Sequence, residues 1–174
     1  MTNLQKLPSL DDDGNIHVVV ETPRGARAKL TYDPQLRVFV LSKSLMTGLT
    51  YPHDWGFIPS TVAEDGDPVD ALVIHDAATF PGLVMKCKAI GVLEIRERSK
   101  KRTQRNDRIM AVPLHSHAEG GLRDVRQLSK QVRLELEKFF VATAELQSKT
   151  LECLGWRGPK RAMQLIKRSA KNSG

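Results

Sequence analysis

The stretch Asp65-Gly66-Asp67-Pro68-Val69-Asp70 places three carboxylates within six residues, directly before an apolar run that ends at Ile74. The glycine and the proline fix a tight backbone, so the three acids can converge at little cost in entropy. Converging carboxylates repel one another, and hard divalent cations such as Mg²⁺ prefer oxygen ligands. The spacing does not fit an EF-hand loop. The stretch therefore predicts a divalent-cation site where a buried strand begins, in preference to a solvated acidic turn.

This acidic stretch lies in a basic chain, whose formal net charge is +7 over 174 residues. Residues 96–108 contain seven Lys or Arg against two acids, and residues 157–171 contain six more, whereas residues 64–76 contain five acids and no Lys or Arg. Such a charge distribution favours a polyanionic ligand. Aromatic residues make up only 5% of the chain and none lies in 96–108. The segment therefore does not indicate nucleic-acid binding, since base stacking needs aromatic side chains.

Length and composition restrict the remaining possibilities. The length suits a single domain, 1–174, and no run of about 18 apolar residues is present, so we expect no membrane-spanning helix. Residues 1–14 lack the basic and apolar segments of a secretory signal. Cys87 and Cys153 predict two free thiols in a reducing, cytoplasmic environment. His115 and His117 lack the acidic or thiol partners of a zinc site.

Apolar patterning predicts a mainly β (α+β) fold, a small barrel with two helices packed on it. The predicted strands cover 16–21, 27–32, 36–41, 69–74, 83–95 and 109–113. Residues 48–60 are predicted to be a loop carrying aromatic side chains, and 98–108 a hairpin loop. A helical stripe runs from Val125 to Thr143, and Pro159 starts a second, terminal helix.

The acidic hexapeptide resembles the signature of the soluble family I inorganic pyrophosphatases. The resemblance extends over residues 14–170 and includes, besides the hexapeptide, the segments VVVETP (18–23), YPHDWGFI (51–58), PG (81–82), GVL (91–93), AVP (111–113) and GW (155–156). It implies a five-stranded OB-like β-barrel with two C-terminal α-helices, and a cytoplasmic hexamer. The implied reaction is the hydrolysis of inorganic diphosphate to two phosphates with Mg²⁺, for which Mn²⁺ is a possible substitute.

The same resemblance implies a role for each site residue. The catalytic residues would be Asp67, which accepts the proton of the attacking water, and Glu21, which supports the network of metal and water. Asp65, Asp70, Glu97, Asn106 and Asp107 would form the metal site. Lys29, Lys43, Tyr51, Trp55 and Arg108 would bind the substrate.

Several positions depart from the family pattern. Lys43 and Arg108 exchange one basic residue for another, while Glu97 lengthens an aspartate. Neutral or altered side chains stand at Thr31, Trp55, Asn106, Thr143 and Ala144. Each lost charge-assisted contact is worth roughly ten- to a hundredfold in rate or affinity. Three hypotheses follow: a slow diphosphatase, a catalytically weak paralogue that binds a phosphorylated ligand or a protein, and a hydrolase of another phosphoanhydride. Arg102 or Arg105 of the basic hairpin could resupply a cation to the site.

Overall fold

The computed structural model describes residues 2–116 and 121–171, so His117 lies outside the described residues. Along them, nine strands and two α-helices follow one another: β1 (Ile16–Thr22), β2 (Ala28–Asp33), β3 (Val38–Ser44), β4 (Asp54–Ile58), β5 (Val69–Val73), β6 (Val84–Arg98), β7 (Thr103–Arg105), β8 (Arg108–Pro113), α1 (Lys130–Glu145), β9 (Thr150–Arg157) and α2 (Pro159–Lys171). In this part of the chain, neither helix is both long and apolar enough to cross a membrane.

Five strands close into a ring in the order β1, β4, β5, β8, β6 and back to β1. All neighbours in the ring are antiparallel except β5 and β8, which are parallel. Strand β6 has 15 residues, and this length allows it to pair with β7 and β9 beyond the ring as well. A closed ring with two later helices confirms the predicted OB-like barrel. Strands β2 and β3 form a separate two-stranded sheet.

The two helices cover different parts of the barrel. Ala162 and Ile166 of α2 are fully buried, in one cluster with Val18 and Ile58 of the ring. Helix α1 instead contributes its aromatic pair, 139–140, to a second cluster that contains Tyr51 and Trp55. The second cluster therefore packs the aromatic pair of α1 together with two of the predicted substrate-binding residues.

Three strands contradict the sequence-based prediction. Strand β7 lies inside the predicted hairpin loop 98–108, where its three residues pair with the end of β6. Strand β4 lies inside the stretch 48–60 that was predicted to be a loop, and all five of its residues are buried. Its Gly56 crosses β1 so closely that a Cβ atom would lie 2.0 Å from the Val19 carbonyl oxygen. The glycine that indicated a loop is therefore required by strand packing. Strand β9 was missed because its residues are mostly half-buried, so the apolar pattern is weak.

Several boundaries also differ, among them the end of β6, which continues to Arg98 because it pairs with β7 and β9. Helix α1 begins at Lys130 and not at Val125, which starts a short 3₁₀ turn, and Ser129 caps the helix by accepting the Val132 N–H at 3.2 Å. Strand β3 starts at Val38, two residues later than predicted, because the Asp33 carboxylate holds the preceding turn through two backbone N–H groups.

The Ser129 cap gives a first testable result. Replacing Ser129 by alanine leaves a helix N–H without its partner, so we expect the free energy of unfolding to fall by about 1 kcal/mol. Thermal unfolding followed by circular dichroism measures the change. Ser129→Asp is the control, because a carboxylate caps the same N–H and should restore the stability. Equal melting temperatures for the alanine variant and the wild type would contradict this role of Ser129.

Candidate active site

The predicted site residues come from seven strands, β1 to β6 and β8, and from the loops between strands. Glu21 belongs to β1, Lys29 to β2, Lys43 to β3 and Trp55 to β4. The acidic loop, defined here as residues 64–68, leads into β5. A cleft beside it is lined by Lys29, Lys43, Tyr51, Trp55, Glu97, Arg108, Phe139, Phe140, Thr143, Ala144, Gln147 and Leu151. The structure therefore brings all five predicted substrate-binding residues together in one cleft.

The acidic loop holds its carboxylates by local backbone contacts. The Asp67 N–H donates to Asp65 Oδ1 at 3.1 Å, and Gly66 adopts a φ of +91° that favours glycine. Asp67 itself is exposed to solvent. Burial raises the pKa of Asp65 above its ordinary value, and the charges of Asp70 and Asp67 raise it further. The three carboxylates thus interact electrostatically, as the sequence predicts.

Glu21 lies behind this loop and is almost fully buried. Its Oε1 accepts the backbone N–H of Tyr32 at 2.7 Å. Burial raises the pKa of Glu21 from 4.5 to about 7, against the hydrogen bond from Tyr32, which lowers it. The charges of Asp70 and Asp67 raise the pKa further, and that of Lys29 lowers it. A carboxylate with this pKa exchanges its proton near neutral pH, and the charge of a cation nearby would favour its ionised form.

This burial predicts a pH-dependent stability in the absence of divalent cations. The folded state retains a proton on Glu21 that the unfolded chain releases above pH 4.5. Stability should therefore fall as the pH rises from about 4.5 to about 7, by up to about 3 kcal/mol, and stay lower above that range. Glu21→Gln should lose this part of the pH dependence, because the amide is neutral and its oxygen can still accept the Tyr32 N–H.

Thermal unfolding in EDTA between pH 5 and pH 8 measures this effect. Glu145→Gln, an exposed position on α1, is the matched control and should follow the wild type. If Glu21→Gln and the wild type lose the same stability over this range, the assignment of the pH dependence to Glu21 is wrong.

Three lysines make the opposite side of the cleft positive. Lys43 Nζ donates to the Thr143 carbonyl oxygen at 3.1 Å, and Lys29 Nζ lies 5.9 Å from the centre of the Trp55 ring. Burial lowers the pKa of Lys43 from 10.5 to about 8, and the charges of Lys29 and Lys149 lower it further. An anion bound between these lysines would relieve their repulsion.

Arg108 lies between the acidic and the basic sides. Its guanidinium carbon is 4.9 Å from the centre of the Trp55 ring, and its Nη1 contacts Asp70 Oδ2 and Asn106 Oδ1. Two buried donors of this region, Arg108 Nε and Trp55 Nε1, have no hydrogen-bond partner among the described residues. Buried donors are normally satisfied, so this pair is suited to a ligand that brings acceptor oxygens.

Glu97 faces the same region from the end of β6. Its carboxylate accepts the Lys149 ammonium at 2.9 Å and the Asn106 amide at 3.2 Å. Burial pulls the pKa of Glu97 upward, but the hydrogen bond and the charge of Lys149 outweigh it and hold the pKa below its ordinary value. Lys149 is not among the residues predicted from the sequence, because this lysine precedes β9, a strand that the apolar pattern does not reveal.

Asp107 is not brought together with the other predicted metal ligands. It accepts the Ile95 N–H at 2.8 Å and pairs with Arg105 at 2.9 Å. It lines a second cavity of about 310 Å³, which α2 borders with Arg161. Neighbouring residues of an extended chain point to opposite sides. Asn106 and Arg108 therefore face the cleft, while Asp107 faces away from it.

The basic hairpin partly reaches the acidic loop. Arg102 Nη2 donates to the Asp65 carbonyl oxygen at 3.3 Å, and the Arg105 backbone N–H donates to Glu64 at 2.8 Å. The guanidinium of Arg105, however, turns to Asp107 and Glu94. The hairpin is thus attached to the loop, and of the two arginines proposed from the sequence only Arg102 directs its side chain to it.

The oxygen donors of the site differ in how well they suit a divalent cation. Around the acidic loop the donors are carboxylate oxygens whose mutual repulsion a hard cation would relieve, so this part fits in its chemistry. Over residues 2–116 and 121–171, no three acidic, imidazole or thiol side chains are already placed to hold one metal ion together. Binding would therefore require side-chain rotation. The part near Glu97 and Asn106 fits poorly, because Lys149 already contacts the Glu97 carboxylate and Arg108 the Asn106 carbonyl oxygen.

Comparison with known proteins identifies what the fold and cleft are similar to. The family model described as inorganic pyrophosphatase matches residues 18–173. An inorganic pyrophosphatase of Streptomyces coelicolor is 37% identical over 155 residues, with coverage of 88% of this chain and 93% of the relative. One from Synechocystis sp. is 33% identical over 170 residues, with coverage of 98% of each. The crystal structure of the inorganic pyrophosphatase from Thermus thermophilus superposes with a TM-score of 0.89 at 31% identity and covers 99% of both chains.

Proposed function

Because the chain belongs to the inorganic pyrophosphatase family, a family of hydrolases that act on diphosphate, we propose that it converts diphosphate and water into two phosphates with Mg²⁺ as its cation. The observation that carries the proposal is that a cleft lined by cationic donors lies next to the acidic stretch. Lys29, Lys43 and Arg108 line this cleft, and Arg108 also contacts Asp70, the last carboxylate of that stretch.

In this proposal the cations of the cleft bind and orient diphosphate. Lys29 and Lys43 contact one phosphoryl group, and the unpartnered Nε–H of Arg108 and Nε1–H of Trp55 donate to its oxygens. Tyr51 packs against Trp55 with ring centres 6.3 Å apart and fixes the orientation of that indole. These contacts stabilise the negative charge that grows on the leaving phosphate.

The carboxylates act on the water and on the cation. Asp67 is exposed and takes the proton from the attacking water, while Glu21 lies behind it and supports the network of metal and water. Asp65 and Asp70 would hold the divalent cation. When bound, this cation supplies Lewis-acid chemistry, because it neutralises phosphate charge and makes water more acidic. Asp107, which faces the second cavity, positions the hairpin in this proposal and is not a ligand.

A substrate panel tests the proposal. Purified protein is given diphosphate, tripolyphosphate or ATP with Mg²⁺ or Mn²⁺, and released phosphate is measured beside an EDTA control. We expect diphosphate to be hydrolysed fastest, and only with a divalent cation. Preferred cleavage of ATP or tripolyphosphate would favour a different phosphoanhydride as substrate. Binding of diphosphate in calorimetry without phosphate release would favour the catalytically weak paralogue.

We propose further that residues 1–174 act as one domain and assemble as a cytoplasmic homo-oligomer, a hexamer by the family resemblance. Exposed apolar side chains on the β2–β3 hairpin support a subunit contact, since Leu41 is 67% and Val38 41% exposed. Cys87 and Cys153 are free thiols, which suits a reducing compartment. Light scattering coupled to gel filtration should give six times the chain mass. A mass equal to one chain would contradict assembly.

A further inference from the structure

The oxygens around the cleft fall into two halves that differ in what already faces them. We define the loop half as Asp65 and Asp67, the hairpin half as Glu97 and Asn106, and Asp70 as the residue shared between them. Arg108 contacts Asn106, and Lys149 contacts Glu97, so the hairpin half is bordered by two cations of the chain itself, whereas Asp67 in the loop half is open to solvent.

Arg108 is fixed in place by contacts on several sides. Its Nη1 contacts both Asp70 Oδ2 and Asn106 Oδ1, and its guanidinium lies over the Trp55 ring. The residue is only 8% exposed. A guanidinium stacked on an indole and paired with a carboxylate is stabilised there, and the group does not deprotonate in proteins. Its positive charge is therefore a permanent part of the hairpin half.

Lys149 plays the corresponding part for Glu97. The ammonium lies 2.9 Å from Glu97 Oε1, and the Asn106 amide donates to Oε2 at 3.2 Å. Gln104 Nε2 adds a longer contact to Oε1 at 3.5 Å. Both carboxylate oxygens of Glu97, itself 5% exposed, are thus occupied by donors of the chain.

Asn106 links the two cations. Its carbonyl oxygen contacts Arg108 while its amide donates to Glu97, so both ends of this neutral side chain are engaged within the chain. A divalent cation in the hairpin half would have to displace Arg108 from the Asn106 carbonyl oxygen or Lys149 from the Glu97 carboxylate. The displaced charge would then stay close to the incoming ion and repel it.

We infer that Arg108 and Lys149 neutralise the hairpin half permanently, so that this half takes no divalent cation. Dissociable metal is then confined to the loop half together with Oδ1 of Asp70, since Arg108 contacts Oδ2 of that carboxylate. The inference rests on the proposed function, since it concerns the same site. It goes beyond that function, because diphosphate bound at the hairpin half then meets a guanidinium in place of a metal ion. Activity should accordingly need no metal ion held by Glu97 and Asn106.

Mn²⁺ binding measured by calorimetry in the absence of diphosphate tests the inference without any turnover. We expect Asp65→Asn to weaken Mn²⁺ binding at least tenfold, because it removes a ligand of the loop half. Glu97→Gln should leave the Mn²⁺ dissociation constant within about threefold of the wild type. A loss of affinity in Glu97→Gln as large as that in Asp65→Asn would overturn the inference.

The converse experiment opens the hairpin half. The double variant Asn106→Asp, Arg108→Gln adds a carboxylate and removes the guanidinium, so we expect one more Mn²⁺ bound per chain than in the wild type. Arg96→Gln, which removes an exposed arginine of the same strand region, is the control and should keep the wild-type stoichiometry. An unchanged Mn²⁺ stoichiometry in a double variant that keeps its circular dichroism spectrum would also overturn the inference. Both results concern metal binding alone, so they are distinguishable from a failure to hydrolyse diphosphate.

Discussion

Replacing Asp67 by asparagine should lower the turnover number for diphosphate by about a thousandfold, because the water then loses the carboxylate that accepts its proton. Asp67 is exposed, and its fold-related contacts use its backbone: its N–H donates to Asp65 and its carbonyl accepts from Ala63. Asparagine retains both contacts. The variant should therefore melt at the wild-type temperature, and the lost activity can be assigned to the missing carboxylate.

Asp76→Asn is the matched control for this result. Asp76 belongs to the same acidic segment and is exposed, but it follows β5 at the other end from the acidic loop. Steady-state phosphate release should give wild-type turnover for this variant. Turnover in Asp67→Asn within tenfold of the wild type would show that another group accepts the proton.

Replacing Lys29 by methionine should reduce kcat/KM for diphosphate by up to about a hundredfold. Methionine keeps most of the side-chain stem beside Trp55 but removes one of the charge-assisted contacts of the cleft. The loss of a neighbouring cation also removes part of the repulsion that lowers the pKa of Lys43, so the pKa of Lys43 should rise from about 8.

Initial rates at varied diphosphate concentration measure this effect. Lys88→Met is the control, because Lys88 is an exposed lysine of β6 that does not line the cleft. It changes the net charge equally, so it separates a local contact from long-range attraction of the anion. Equal losses of kcat/KM in the two variants would contradict a phosphate contact by Lys29.

Much of the fold is predictable from short apolar runs and from the family resemblance, and the misses have physical causes. Strand β4 depends on Gly56, whose missing side chain lets β1 approach, and a glycine in a single sequence reads equally well as a turn. Strand β9 owes its conformation to pairing with β6, since its own residues alternate too weakly to specify a strand. Closure of the ring depends on β6 pairing with both β1 and β8, and the apolar run 83–95 reveals this long strand but not its partners.

In the candidate site, too, the features that depend on neighbouring residues are predictable and those that depend on strand pairing are not. The acidic loop is visible in sequence because its carboxylates lie within six residues. The contact between Lys149 and Glu97 joins residues 52 apart and depends on the pairing of β9 with β6, so the sequence could not indicate it. That Asn106 and not Asp107 faces the cleft could have been predicted from the sequence. Side chains alternate along an extended chain, which places Asn106 and Arg108 on one side and Asp107 on the other.

Hydrolysis of diphosphate with a divalent cation is the function that this cleft supports. Its most direct test is a single-turnover measurement with the protein in excess over diphosphate, since this detects slow chemistry that steady-state assays overlook. We expect every diphosphate to yield two phosphates in one exponential phase with Mg²⁺, and none to react in EDTA. Recovery of intact diphosphate from the Mg²⁺ reaction, with the ligand bound to the protein throughout, would contradict the claim.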